Sequence, residues 1–368
     1  MSDFVTPLRT PLDAPIYSSE FLELKSKLER AGLFQRQYGY YVCNVLLIWV
    51  MLAFGLAILP LTRNHGLYLL DATYLAFVFG QFGYLGHDGA HLEIFSSWRK
   101  NRIFCLIHGN LLLGLSTGWW TSKHNRHHKD PNIIALDGEL EIAGVAFTEE
   151  QALNRRGVMR ALVKYQAYTF FPLLALTIIA LRMESTQFLL RRESKQSLIE
   201  GLAVAAHIFL YSWFVFSVLG LWRGTVFVVV HQVLFGLYMG LVFAPNHKGM
   251  PMFESGAQLD YFHKQVITAR NVAPGMINDF CYGGLNYQIE HHLFPQMPRN
   301  RLRQARNIVK PFCASHGVPY VETGPLQSYG QMLRFLHGVS RALRMKDLQL
   351  ISPVEHEGAT ADPPPGRE

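Results

Sequence analysis

Apolar residues run almost unbroken over four stretches of the chain, about 41–61, 67–86, 198–219 and 223–245. Each approaches the roughly 20 residues that a helix needs to cross a hydrocarbon core. A fifth stretch, 165–181, is short and carries Pro172, and a sixth, 103–120, is interrupted by His108, Asn110 and several glycines. These two read as helices lying in the interface or re-entering the membrane, which backbone hydrogen bonding tolerates only where protein covers them. Outside the long stretches the period changes to that of an amphipathic helix. Phe21, Leu24 and Leu28 recur behind Ser18 and Ser19, either of which can cap a helix, and Leu302, Ala305, Ile308 and Val309 recur among basic residues. Both patterns predict helices on the membrane surface. Beyond Ser352, with Pro363 to Pro365 and no apolar periodicity, the tail is expected to be disordered.

The first two stretches form a hairpin that returns the chain at Gly86, and the third and fourth, joined through Gly220, Leu221 and Trp222, return it near Pro245. The two turns carry only Arg63 and Arg223, whereas the basic residues between 25 and 30, 99 and 129, and 155 and 160 lie on the other side. The positive-inside rule then places both termini in the cytosol. The expected fold is an all-α, multi-pass integral membrane protein with four transmembrane helices in two hairpins and a cytosolic helical cap. Its expected divisions are an N-terminal cytosolic segment (1–38), a membrane and cap domain (39–315), a C-terminal cytosolic segment (316–352) and a disordered tail (353–368).

Composition agrees with one membrane domain rather than two soluble ones, since only 17% of the 368 residues are charged. The net charge of +7 is spread over loops and terminal helices without an aromatic-interleaved patch, which points to a lipid bilayer and not to nucleic acid. Cys43, Cys105, Cys281 and Cys313 are far apart, so they read as unpaired thiols. No cleavable leader is apparent, and the first hydrophobic helix is expected to direct insertion with Met1 as the mature start.

Polar chemistry concentrates where the hydrophobic stretches end. His87 pairs with His91; His124, His127 and His128 form a second cluster; Gln288, His291 and His292 form a third. Positions i, i+3 and i+4 share one helix face, so each cluster can aim its imidazoles at a common point. Zinc is filled by four ligands and does no redox chemistry, and these eight candidates exceed that number. A site of many neutral nitrogens suits two iron ions, each with room left for oxygen. Acids nearby, Asp88, Asp130, Asp279 and Glu290, are expected to accept the outer N–H of ligating rings. Isolated His207, His316 and His337 read as core or hydrogen-bonding residues, and His356 as a solvated tail residue.

The runs His87-Asp88-Gly89-Ala90-His91, His124-Asn125-Arg126-His127-His128 and Gln288-Ile289-Glu290-His291-His292 resemble, in order, the three histidine boxes of the membrane-bound fatty-acid desaturases. The resemblance covers about 40–315. Glutamine at the head of the third box, within Gly283 to Pro295, is typical of the front-end branch, which adds a double bond toward the carboxyl end of an acyl chain. The resemblance implies an oxygen-dependent desaturase acting on acyl-CoA or acyl-lipid at a di-iron centre, with O2 as co-substrate. It also implies an isolated histidine ligand near the end of the fourth membrane helix. His247, beside Asn246, matches that place, and His231 lies about four turns deeper. Gln288 and Asn246 are expected as ligands or as support for ligands.

Eukaryotic front-end desaturases commonly carry a fused haem domain with a His-Pro-Gly-Gly motif, which this chain lacks. The chain in this respect resembles bacterial desaturases, which implies a bacterial inner membrane and an external electron donor such as a ferredoxin or a ferredoxin/NAD(P)H reductase. Lys123, Arg126, Lys129 and the basic helix near residue 305 are candidates for docking it. Trp119, Trp120, Phe235 and Tyr238 are candidates for the wall of an acyl tunnel. Two rivals stand beside the desaturase: a hydroxylase or ketolase on the same centre, and a metal transporter or sensor.

Overall fold

The computed structural model describes residues 17–62 and 66–345. Arg63, Ser352, His356 and the tail 353–368 lie outside the described residues. The protein is mostly helical. The helix α1 (Ser19–Arg30) leads into α2 (Tyr38–Ile58), α3 (Leu67–Ala90) and α4 (Trp98–Cys105). After a π-helical segment (Leu106–Leu112) come α5 (Thr117–Lys129), the short α6 (Glu149–Leu153) and α7 (Gly157–Lys164), then α8 (Gln166–Leu174) and α9 (Thr177–Leu190). The longest element, α10 (Ser197–His247), is followed by α11 (Tyr261–Ile267), α12 (Met276–Cys281), α13 (Gln288–Leu293), α14 (Arg299–Ser315) and α15 (Pro325–Val339). Two parallel two-residue strands, β1 (Asn271–Val272) and β2 (Glu322–Thr323), tie the last third together.

Among the described residues, two helices are long and apolar enough to cross a membrane, Tyr38–Leu61 and Ser197–His247, and up to four if each of two bent pairs counts as one span. α2 is built outside-in: Val42, Leu46, Val50 and Phe54 recur every fourth residue and are exposed, while Tyr41, Ile48 and Gly55 face the protein. Such an exposed apolar stripe requires a nonaqueous neighbour. α3 has 24 residues but holds Asp71, Gln81 and several glycines, and most of it is covered by α2 and α10. Its low apolarity is that of an interior helix. Gly55 is required where the two meet, because a Cβ there would stand 2.6 Å from Leu75. The Tyr74 hydroxyl donates to the Met51 carbonyl at 2.9 Å, closing this pair into a hairpin.

α10 is not one rod. Gly220 adopts φ 73° and ψ 178°, outside helical space, and breaks it into arms 197–219 and 221–247. Tyr211 and His231, about 30 Å apart on a straight helix, meet at 3.0 Å, so the arms fold back on each other. The stretch around 103–120 is bent by 109° between the π-helix and α5, and the stretch containing Pro172 is bent by 66° between α8 and α9.

The two amphipathic helices depart from their expected setting. Phe21, Leu24 and Leu28 of α1 share a buried cluster with Leu302, Ala305 and Val309 of α14 and Ile289 and Leu293 of α13. Their apolar faces are covered by each other and by the third box, not by a membrane surface. Amphipathicity reports that a face needs cover, not what covers it.

Candidate metal centre

Each box places histidines in the closing turn of a helix, and those helices end at one place. His87 closes α3 with His91 as its C-cap, His127 and His128 close α5 with His124 one turn earlier, His247 is the final residue of α10, and His291 and His292 close α13, which Gln288 begins. A helix C-terminus carries roughly half a negative charge. Four such ends therefore favour a cation where the neutral rings converge.

The imidazoles fall into two groups. His87, His91, His124 and His291 offer ring nitrogens within 4.8 Å of one another, and so, separately, do His127, His247 and His292. His128 stands between them. Its Nε2 is 2.9 Å from His124 Nε2 and 3.1 Å from His291 Nε2, and its ring stacks on His292 with centroids 4.2 Å apart. Every one of these rings is buried, His124 the least so at 9% exposure. Burial, reinforced by neighbouring imidazoles, holds His124, His128, His291 and His292 well below the ordinary histidine pKa, so these rings are neutral at neutral pH.

Tautomers in the second group follow from the acceptors around it. His127 Nδ1 lies 3.0 Å from both carboxylate oxygens of Asp137. His247 Nδ1 faces the Thr268 carbonyl at 3.0 Å, and His292 Nδ1 faces Gln265 Oε1 at 2.9 Å. The Gln265 amide is oriented by its own donation to the His128 carbonyl at 2.8 Å. Each Nδ1 must therefore carry the proton, leaving a bare lone pair on each Nε2. Those lone pairs approach to 3.2 Å between His127 and His247 and 3.0 Å between His247 and His292, with no proton to share. Such an arrangement is repulsive until a cation occupies it. In the first group, buried His87 Nε2 and His91 Nε2 have no hydrogen-bond partner, as expected of nitrogens reserved for a metal.

Gln288 belongs to the second group: its amide lies 3.0 Å from His247 Nε2, and Asn246 Nδ2 donates to its Oε1 at 3.0 Å. His231 lies elsewhere, buried against Phe79 and bonded to Tyr211. Of the four expected supporting acids, none stands within hydrogen-bond reach of a ligand ring. Asp88 Oδ1 is 3.7 Å from His87 Nδ1, while its other oxygen pairs with Arg299 at 2.9 Å. Asp130 pairs with Lys264 at 2.8 Å, Asp279 accepts from Asn286 and Tyr287, and Glu290 accepts from Asn271 and Tyr320. Burial lifts the Glu290 carboxyl to about 7 against those two hydrogen bonds. The acid that does meet a ring, Asp137, carries no motif signal; it reaches His127 because the loop after α5 turns back, with its carboxylate also accepting from the Asn132 N–H. Burial works to raise Asp137, but His127 and Lys248 outweigh it and hold the carboxyl well below its usual range.

Trp120 walls the first group, stacked on His124 at 4.1 Å and 5.2 Å from His87. Trp119 is buried one position away, Phe235 packs deeper between α3 and α10, and the Tyr238 hydroxyl donates to the Cys281 carbonyl. Lys123 is engaged by Glu184 at 2.8 Å, and Arg299, at the start of the basic helix, is buried in its pair with Asp88; neither is a free docking charge.

Comparison with known proteins gives the class. The profile of the fatty acid desaturase family matches residues 64–324. The chain is 30% identical over 344 residues to an acyl-lipid (9-3)-desaturase of Physcomitrium patens, covering 89% of this chain and 64% of that protein. It is 27% identical to the Delta(6)-fatty-acid desaturase fat-3 of Caenorhabditis elegans, covering 89% and 76%, and 28% identical to the Delta(8)-fatty-acid desaturase of Borago officinalis, covering 91% and 77%. The chain belongs to the fatty acid desaturase family. These relatives are eukaryotic, and the expected bacterial membrane has no counterpart among the three.

Proposed function

We propose that the protein inserts a cis double bond into the acyl chain of an acyl-CoA or acyl-lipid at a centre of two iron ions, one in each histidine group. In balance, one O2, two electrons from a separate redox protein and two protons take two hydrogens from adjacent methylenes and leave the alkene and two waters. The observation that carries this reading is the convergence of bare Nε2 lone pairs, in two groups bridged by His128, at four helix ends. The ligands proposed are His87, His91, His124, His128 and His291 for one ion and His127, His247 and His292 for the other, with Gln288 and Asn246 in support. Iron, when bound, supplies the oxygen activation and hydrogen abstraction that no side chain can perform. The chain's own residues orient the rings, exclude bulk water by burial and present Trp120 as a wall against which an acyl chain can be held.

Topology follows from the same convergence. Both α2 with α3 and the two arms of α10 are hairpins, so four spans return every box to one side, whereas a fifth crossing by α8 and α9 would strand the third box. The distribution of basic residues makes that side cytosolic, and exposed Arg126 on α5 remains the best-placed docking charge for an acidic electron donor.

The test is mass spectrometry of total acyl chains from cells expressing the protein with a ferredoxin and its reductase, beside a His127→Ala control. A chain lighter by two hydrogens, absent from the control, is the expected result. A chain heavier by one oxygen would establish the hydroxylase instead.

A further inference from the structure

α12 sits in the segment expected to cap the membrane from the cytosol, yet its sequence is Met-Ile-Asn-Asp-Phe-Cys and its outer face is apolar. Met276 is 85% exposed, Ile277 78% and Phe280 40%. The polar positions turn inward, Asn278 donating to the Ala273 carbonyl at 2.8 Å and Asp279 accepting from Tyr287 at 2.8 Å. Across the parallel strand pair, α15 starts beside α12, because Asn271 and Val272 lie in register with Glu322 and Thr323 and both chains leave the same end. There Leu326 is 87% exposed. Scattered exposed apolar residues are ordinary, but four at one end of one motif form a patch.

The depth of the patch can be read from what holds it. The Phe280 carbonyl accepts from Gln81, and the Cys281 carbonyl accepts from Tyr84 at 2.8 Å and Tyr238 at 2.5 Å. The Phe280 ring packs on Phe77 with centroids 5.7 Å apart. Phe77 precedes His87 by ten residues and Tyr238 precedes His247 by nine. At about 1.5 Å per residue these two lie roughly 13–15 Å along the spans from the histidines, whereas Gln81 and Tyr84, six and three residues before His87, lie roughly 5–9 Å from it. Two helices thus hold α12 against their closing turns, beside the membrane arms rather than beyond their ends. Side chains of the spans also meet its carbonyls, which is what a short helix needs where water is absent.

We infer that Met276, Ile277, Phe280 and Leu326 form a lip that inserts into the leaflet on the metal-centre side, with lipid as its occupant. The lip goes beyond the proposed function and rests on it only for the spans that set its depth. Seven residues separate its last member on α12 from Gln288, so the third box is anchored directly to a lipid-embedded element.

The test uses the full chain in phosphatidylcholine nanodiscs, with Cys43→Ala and Cys281→Ala removing the accessible thiols and a bimane label on Ile277→Cys. Val50→Cys in α2 serves as the span reference and Arg126→Cys as the aqueous one. Quenching of the label at 277 by lipid-borne nitroxide to an extent close to that at 50, and quenching by iodide severalfold weaker than at 126, is expected. Iodide quenching equal to that at 126 would overturn the lip, and protection from both quenchers would overturn it in favour of cover by a second copy or another protein. Loss of lipid quenching at both 277 and 50 would overturn the spanning reading and the lip with it.

Discussion

The two histidine groups are built from the same side chain but are held in different ways. In the second, every ring has its outer nitrogen fixed by an acceptor: Asp137 for His127, the Thr268 carbonyl for His247, Gln265 for His292. In the first, the nearest acid is diverted. Asp88 is held by Arg299 and stands 3.7 Å from His87, beyond a hydrogen bond, while Trp120 and the neighbouring imidazoles pack around the rings. The first group is positioned mainly by helix packing, and the second by hydrogen bonds as well. The contrast teaches that ring orientation can be secured by helix geometry where two ligands share a face, as His87 and His91 do, but needs polar anchors where single ligands arrive from three different helices.

The largest effect is expected where the groups meet. His128→Ala removes the ring that touches His124 and His291 on one side and His292 on the other. Iron should be lost from both groups and product should fall below detection, read by metal analysis of the purified protein and by acyl-chain mass spectrometry. Retention of half the iron would instead show that His128 serves the first ion only and that its stacking on His292 gives the second no support.

A paired substitution tests the contrast itself. Asp137→Asn keeps an acceptor for His127 but removes the charge, and iron affinity of the second group should fall by roughly 10–100-fold. Asp88→Asn should leave iron binding close to that of the unaltered protein, because Asp88 does not reach a ring. Its cost falls on stability, by about 3 kcal/mol, the low end for breaking a buried ion pair, because the Glu93 carboxyl, which burial and the Asp88 charge push well above its usual range, is freed to ionise beside Arg299 once Asp88 is neutral. Chelator competition and thermal unfolding read the two effects separately. If Asp88→Asn releases iron as readily as Asp137→Asn, the two groups are supported alike and the contrast fails.

These supporting residues also mark where sequence reading stops. The long apolar runs and the i, i+3, i+4 spacing are local properties, so the helices and the shared face of each box were legible. The break at Gly220 was legible too, as the short link Gly220-Leu221-Trp222 between two apolar stretches. Asp137, Gln265, Thr268 and Arg299 were not, because each reaches its partner through a loop or a distant helix and leaves no periodic trace. Asp130 and Glu290 were attractive for adjacency alone, yet Lys264 and the pair Asn271 and Tyr320 claim them. The stripes on α1 and α14 announced faces needing cover, but only the fold shows that they cover each other.

The smallest effect is expected at Gln288, where the second group has an amide in place of an imidazole. Its side chain contacts His247 and Asn246, and it is 5% exposed on the same face of α13 as His291 and His292. Histidine there is close in volume, so Gln288→His should change stability by less than about 1.5 kcal/mol. Imidazole is a stronger ligand than a neutral amide for iron, so the second ion should leave more slowly under a chelator, with the position of the double bond unchanged. Faster loss would show that the amide contributes something a ring does not: its Oε1 would be needed to hold Asn246, and the second group would then depend on the 246–288 hydrogen bond as much as on its three rings.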